Sequence, residues 1–428
     1  MKRVLNLPSL VLFGLAFMSP LAAFVTYGVV LNVTHGHIST AYLLTLVAIL
    51  FTALSYGKMS CAIPNSGSAY IYSSSAFGKN TGFLVGWALL LDYLLAPMLC
   101  YLVTAIYLQE YFPSIDKSVW IFLSALTIFV LNVFGIKLVT KINLFLVACQ
   151  LLFVLVFLIM ATIILMHTNQ HVDFVQPFYD AQMSLPFIVS GSAILCLSFL
   201  GFESISTLAD EAEHPQKTIP KAIILCVLAS GSLYLLTAYM GQLVIPHWPS
   251  NTDADTMGLK LIRFVGGEYL KSSFLIMAIV GCLATALAAL TSVSRVLYAM
   301  GKKGALPKVF GHVHKKFQTP VFAILIVSLL SLSASFMSLE LASSMISFGA
   351  LVAFTFVNLS VVKYYFIDAK QRHLMTNLFL PLIGFGLTIW LWTSLSMTAI
   401  EVGGSWLMIG VVYLLVSKLI AKTVNMEI

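Results

Sequence analysis

Gly14-Leu15-Ala16-Phe17-Met18-Ser19-Pro20-Leu21-Ala22-Ala23 and Cys196-Leu197-Ser198-Phe199-Leu200-Gly201-Phe202-Glu203-Ser204 are two interruptions of otherwise apolar runs, and they decide how the chain folds. Pro20 removes an intrahelical hydrogen bond and its ring opposes the carbonyl four residues earlier. Gly201 loosens the backbone beside a glutamate that is costly to place in hydrocarbon. Either stretch alone reads as a simple kink. Broken helices at corresponding positions of two halves point instead to a carrier built from inverted repeats. In such a carrier unwound carbonyls attract cations and half-helix N-termini attract anions near the membrane midplane.

Around these stretches the chain is apolar almost throughout. Hydrophobic residues make up 60% of its 428 positions and charged residues 9%, a balance that excludes a water-soluble fold. Residues 142–166 are broken only by Asn143, Gln150 and Thr162, and a run of that length spans a bilayer. Twelve such spans are expected, at 8–32, 39–60, 80–108, 118–134, 142–166, 186–209, 222–245, 272–298, 320–337, 341–362, 377–399 and 403–419. Only short connectors lie between them. The expectation is one all-α integral membrane domain over 1–428, with 1–168 and 180–366 as the two repeats and 377–422 as two additional helices. The first apolar run continues past Ala22-Ala23, so it reads as an uncleaved span rather than a secretory leader.

The charge is distributed unevenly. With both termini on the inner side, the inner segments hold 19 of the 23 Lys and Arg residues and the outer loops hold 4. Loops rich in Lys and Arg are retained in the cytoplasm, so both termini are expected there. The net charge of +7 then needs no nucleic-acid partner.

Ionisable groups inside the spans carry the chemistry. Asp92 is flanked by Leu89, Leu90, Leu91 and Tyr93, where an ionised carboxylate without a partner or water costs several kcal/mol, so it should face a polar cavity. An α-helix starting after Gly201 would align Glu203, Thr207 and Glu211 on one face. These acids can bind a cation, carry a coupling proton or hold helices together by hydrogen bonds. Asp210, Glu211 and Glu213 lie beside Lys217 and Lys221 and read as a solvated cluster, and Arg295 reads as an interfacial anchor. Of Phe17, Phe24, Trp87, Tyr93, Phe199 and Phe202 near the breaks, most are expected to pack and some to cover an ammonium group. The six cysteines are scattered, and there is no HExxH, zinc spacing or Walker motif. No metal, cofactor or catalytic constellation is expected.

Several motifs, taken together, resemble the amino acid-polyamine-organocation permease superfamily. They are Phe51-Thr52-Ala53-Leu54-Ser55-Tyr56-Gly57-Lys58, then Ile63-Pro64-Asn65-Ser66-Gly67-Ser68-Ala69-Tyr70-Ile71-Tyr72, Gly86-Trp87, the sixth-span Ser198-Phe199-Leu200-Gly201-Phe202-Glu203, the later Glu211, Ile219-Pro220-Lys221-Ala222, and Ser294-Arg295-Val296-Leu297-Tyr298-Ala299-Met300-Gly301 with Leu306-Pro307 and Thr319-Pro320 following. Leu91-Asp92-Tyr93-Leu94 and Phe348-Gly349-Ala350-Leu351-Val352-Ala353-Phe354-Thr355-Phe356-Val357-Asn358-Leu359-Ser360 look most like the bacterial putrescine importers of that superfamily. The resemblance implies twelve helices in a LeuT-like five-plus-five inverted repeat with broken first and sixth helices. It also implies that Tyr93 and an acid after the sixth-span break, Glu203 or Glu211, contribute to amine recognition. Three departures stand out. Pro20-Leu21-Ala22 replaces the glycine-rich break that captures a substrate carboxylate, Val25 replaces an acid of the putrescine importers, and Gln150 occupies a position where some proton-coupled relatives carry lysine.

The expected substrate-binding residues are Ser19, Asp92, Tyr93, Phe199, Phe202 and Glu203, with Pro20, Gly201 and Glu211 in gating or recognition. The expected function is secondary import of putrescine or a related polyamine across the bacterial inner membrane by alternating access, driven by a coupling proton or by the membrane potential, with membrane lipid as the surrounding partner. The alternatives are an amino-acid permease or exchanger and, in other classes, a non-transporting amine sensor or a membrane-embedded enzyme.

Overall fold

The computed structural model describes residues 3–168, 172–181, 183–246, 254–336, 339–393, 395 and 397–424. Helix α1 (Leu7–Met18) begins where the Asn6 side chain accepts the Ser9 N–H at 3.1 Å, a side-chain N-cap. It stops at Ser19, whose φ of 55° lies in the left-handed region, and α2 (Ala22–Val33) leaves at 46° to it. Then follow α3 (Ile38–Ala62), a short inner-loop helix α4 (Ser68–Phe77), and α5 (Lys79–Tyr111), which runs through Pro97. Helices α6 (Lys117–Val133) and α7 (Ile136–His167) follow.

Next comes α8 (Leu185–Leu195), which tightens into 3-10 turns over Cys196–Phe199, breaks at Leu200 and Gly201, and resumes as a 3-10 helix over Phe202–Glu211. Helix α9 (Pro215–Val244) is followed by α10 (Ala254–Lys302), in which Gly266 and Gly267 leave helical geometry, so its first part is a separate short helix. Helix α11 (Val321–Ser331) continues as 3-10 turns over Leu332–Phe336, and α12 (Leu339–Val361) widens into a π-helix over Val362–Asp368. Helices α13 (Leu380–Trp392) and α14 (Met397–Val424) end the chain.

Among the described residues, nine helices are long and apolar enough to cross a membrane, and the bent α1–α2 pair makes a tenth span. Lys117–Val133 and Val321–Phe336 are apolar but shorter. Met337, the expected end of the ninth span, lies outside the described residues.

Lipid exposure explains the apolar exterior. On α7, Phe145, Leu152, Leu155, Ile159 and Ile163 form an exposed stripe, while Val147, Gln150, Val154, Phe157 and Ala161 are buried on the other face. A stripe of that size facing water would be an aggregation surface; facing acyl chains it costs nothing. Inside, α5 packs against α10 and α12, and α3 against α9, so that α1 and the α8 break lie at the centre. The amino-terminal segment pairs with the far end of the second break: Val4 and Leu5 N–H donate to the Glu211 carbonyl at 2.8 and 3.0 Å, and Glu213 N–H donates to the Leu5 carbonyl at 2.8 Å.

Candidate functional site

The break in α1 exposes backbone groups, and neighbouring hydroxyls meet them. The Tyr234 hydroxyl of α9 lies 2.7 Å from the Met18 carbonyl and 3.0 Å from that of Ser19, sharing its proton between them. Thr285 of α10 does the same for the Ala16 and Phe17 carbonyls at 3.0 and 3.2 Å. The carbonyls expected to attract a cation are therefore already engaged by protein hydroxyls. Ser19 Oγ turns the other way and donates to Gln150 Oε1 of α7 at 3.1 Å.

The second break meets the first. Gly201 has φ +123°, and a Cβ there would come within 2.6 Å of Phe17 Cδ1, so only glycine fits this contact. Glu203 folds back to accept the Gly201 N–H on Oε2 at 3.0 Å. The helix after the break is 3-10 rather than α, with three residues per turn. Glu203 is therefore aligned with Ser206, whose hydroxyl donates to the Glu203 carbonyl at 2.6 Å and lies 2.8 Å from Ser68 Oγ of α4. The expected alignment of Glu203, Thr207 and Glu211 on one face does not occur, because their spacing of four suits a wider helix.

Asp92 and Glu203 are fully buried, and the segments that carry them are linked through Phe17, which touches Gly201 on one side and Tyr93 on the other. Neither carboxylate oxygen of Asp92 has a hydrogen-bond partner among the described residues, and Glu203 Oε1 has none either. The Tyr56 and Tyr93 hydroxyls are buried as well, and neither closes a hydrogen bond among the described residues. Rings surround the pair: Phe17 lies 5.8 Å from Tyr93, and Phe202 lies 5.6 Å from Tyr56 and 5.4 Å from Phe354, centroid to centroid. The backbone of Asp92 is pressed against α12, where a Cβ on Gly349 would approach its nitrogen to 2.9 Å.

Of the expected residues, Glu203 is bonded to Gly201, Gly201 rests on Phe17, and Phe17 lies against Tyr93 beside Asp92, while Phe202 packs on Tyr56. Ser19 and Phe199 belong to the adjoining side of the break, Phe199 packing edge-on against Tyr234 at 5.5 Å. Tyr56, Ser68, Tyr234 and Thr285 were not anticipated as site residues. Their signal is weak, a hydroxyl on an apolar helix, although Tyr56 and Ser68 do lie within quoted motifs. Asp92 was expected to face a polar cavity; in this conformation both it and Glu203 are shut off from solvent.

Two further expectations are corrected. Glu211 is not in a solvated cluster and Arg295 is not an interfacial anchor: both are buried and paired, Arg295 Nη2 to Glu211 Oε1 at 3.0 Å and Nε to Oε2 at 3.4 Å. Ser294 Oγ accepts from Arg295 Nη1 at 2.9 Å. The pair lies where the 3-10 helix ends at Glu211.

Residues 7–416 match the family described as amino acid permease. The chain is 37% identical over 424 residues to the low-affinity putrescine importer PlaP of Escherichia coli (strain K12), covering 97% of this chain and 93% of that protein. It is also 26% identical over 447 residues to the methylthioribose transporter of Bacillus subtilis (strain 168), covering 98% and 94%. The branched-chain amino acid permease BcaP of the same organism is 26% identical over 383 residues, covering 85% and 81%. The many apolar helices and these similarities make the chain a multi-pass inner-membrane protein. With two broken helices crossing at its centre and a family match over nearly its whole length, the chain belongs to the amino acid permease family of the amino acid-polyamine-organocation superfamily and is a transporter rather than an enzyme.

Proposed function

We propose that this permease imports putrescine or a closely related polyamine by alternating access, with the amine held between the α1 and α8 breaks. The observation that carries this reading is that Asp92 and Glu203 are both buried, with three carboxylate oxygens that no donor among the described residues meets by hydrogen-bond geometry. An orphaned buried acceptor is expensive, and a cation with several N–H donors satisfies it. The rings of Phe17, Tyr56, Tyr93 and Phe202 supply faces for cation–π contact. The similarity to a putrescine importer supports the same substrate class. A diamine also needs no carboxylate-capturing amide, which suits proline at position 20.

In this reading 1–168 and 180–366 are two inverted five-span repeats and 377–422 adds two helices, giving twelve spans with both termini cytoplasmic. The 46° bend between α1 and α2 and the break at Leu200 and Gly201 fall in the first and sixth apolar segments, which supports that division. Because both acids are closed off, access from either side requires the breaks to rearrange. The membrane potential contributes about 2.3 kcal/mol per charge per 100 mV, so a dication gains twice as much as a monovalent amine. Proton coupling is part of the proposal.

Counterflow in proteoliposomes tests it. Unlabelled putrescine inside should drive accumulation of labelled putrescine, external diamines should compete, and an inward proton gradient should raise the initial rate. Competition by a neutral amino acid but not by putrescine would replace this reading with that of an amino-acid permease. Saturable amine binding without flux would replace it with that of a sensor.

A further inference from the structure

A cavity of about 420 Å³ lies away from the two breaks, among the ends of α4, α5, α10 and α14. Its volume is in the range of small-ligand sites. One wall is basic and polar, with Lys79 and Asn80 at the start of α5, Ser74 on α4 and Lys303 just past α10. The other wall is apolar, with Phe83 of α5 and Tyr413 of α14 stacked at 5.6 Å.

Three features favour an anion that carries an apolar body. Among the described residues neither Lys79 nor Lys303 has an acidic partner, so two ammonium groups face one cavity uncompensated. Helix α5 has 33 residues, no acid in its first turn and no side-chain cap. Lys79 and Asn80 of its first turn, whose N–H groups have no partner within the helix, line the cavity. The cavity also sits where three long apolar helices end, and the ends of bilayer-spanning helices lie at the level of the headgroups.

The apolar wall is rigid. Trp87 and Trp406 stack at 4.8 Å, and each indole N–H donates to the other's backbone carbonyl, at 2.9 and 2.7 Å. A Cβ on Gly410 would meet Trp87 at 2.5 Å, so α14 is seated closely on α5. This clamp holds Tyr413 against Phe83.

We propose that this cavity binds the phosphate of an anionic phospholipid, with Lys79, Lys303 and the start of α5 on the headgroup and Phe83 and Tyr413 along the upper acyl chain. A basic pocket between helix ends at the interface is the arrangement that selects such headgroups. The site is independent of the amine reading: it requires only that the protein lies in a membrane.

The test uses the full-length protein in nanodiscs of phosphatidylcholine containing trace spin-labelled phosphatidylglycerol or spin-labelled phosphatidylcholine with the same chains. The motionally restricted fraction of each label gives relative association. Wild type should prefer phosphatidylglycerol, and Lys79→Gln/Lys303→Gln should reduce that preference roughly 10- to 30-fold, as expected for two interfacial lysines. Lys79→Arg/Lys303→Arg should retain it, as should Lys308→Gln/Lys315→Gln, which removes two exposed lysines elsewhere. Equal association of both labels with wild type would overturn the proposal. So would equal loss in the Lys308/Lys315 control, which would mean general surface attraction. Displacement of the label by millimolar inorganic phosphate would also overturn it, because the site would then take the free anion.

Discussion

Gly201 rests its backbone on the ring of Phe17, so closely that a methyl group on Gly201 would fall 2.6 Å from Phe17 Cδ1 and 2.9 Å from its Cβ. Through this contact the break in α8 is keyed to the break in α1. Gly201→Ala meets two penalties, a Cβ at φ +123° and the collision with Phe17. Unfavourable backbone of this kind costs roughly 1–3 kcal/mol before the clash is counted. The variant should melt at lower temperature in detergent and lose most uptake. A wild-type melting temperature with full transport would show that the two breaks are not interlocked.

Asp92→Asn and Glu203→Gln separate charge from shape. Gln at position 203 can still accept the Gly201 N–H through its amide oxygen, so the turn should survive. Loss of one charged contact with an ammonium group, at about 1.4 kcal/mol or more, predicts at least a tenfold fall in apparent affinity for putrescine. Each variant should insert and purify normally. Unchanged uptake kinetics in both would remove these acids from the site.

Much of this centre was legible in the sequence because its causes are local. Proline at position 20 and glycine at 201 act on their own backbone, and an acid amid leucines announces itself whatever surrounds it. The failures came from long-range pairing and helix pitch. Glu211 is 84 residues from Arg295, whereas Lys217 and Lys221 are near in sequence, so proximity along the chain favoured a solvated cluster. The switch from α to 3-10 geometry after Gly201 carries no periodic signal in ten residues that are buried on nearly every side. Helix α4 was missed because its ten residues are too short for a span and rich in serine. The hydroxyls of Tyr234 and Thr285 became meaningful only once they met the carbonyls of α1.

Arg295 and Glu211 should show strong coupling. Arg295→Met leaves a carboxylate buried without its partner, a defect worth about 3–5 kcal/mol, while replacing both by apolar residues of similar size costs far less. Thermal unfolding should therefore place Arg295→Met well below wild type and Arg295→Met/Glu211→Leu between them. If the double variant is as unstable as the sum of the two single changes, the pair does not act as a unit.

Two tyrosine substitutions should behave oppositely, although both side chains are buried. Removing the Tyr234 hydroxyl leaves the Met18 carbonyl without its donor, while Ser19 keeps the Ala22 N–H at 3.1 Å. One abandoned buried acceptor costs about 1–3 kcal/mol. The Tyr101 hydroxyl has no hydrogen-bond partner among the described residues, so its removal relieves a burial cost instead. Tyr234→Phe should lower the melting temperature and slow uptake, because the break in α1 is no longer pinned to α9. Tyr101→Phe should match or exceed wild-type stability. Equal melting temperatures for the two variants would mean that the Tyr234 hydroxyl does not hold the α1 break in place.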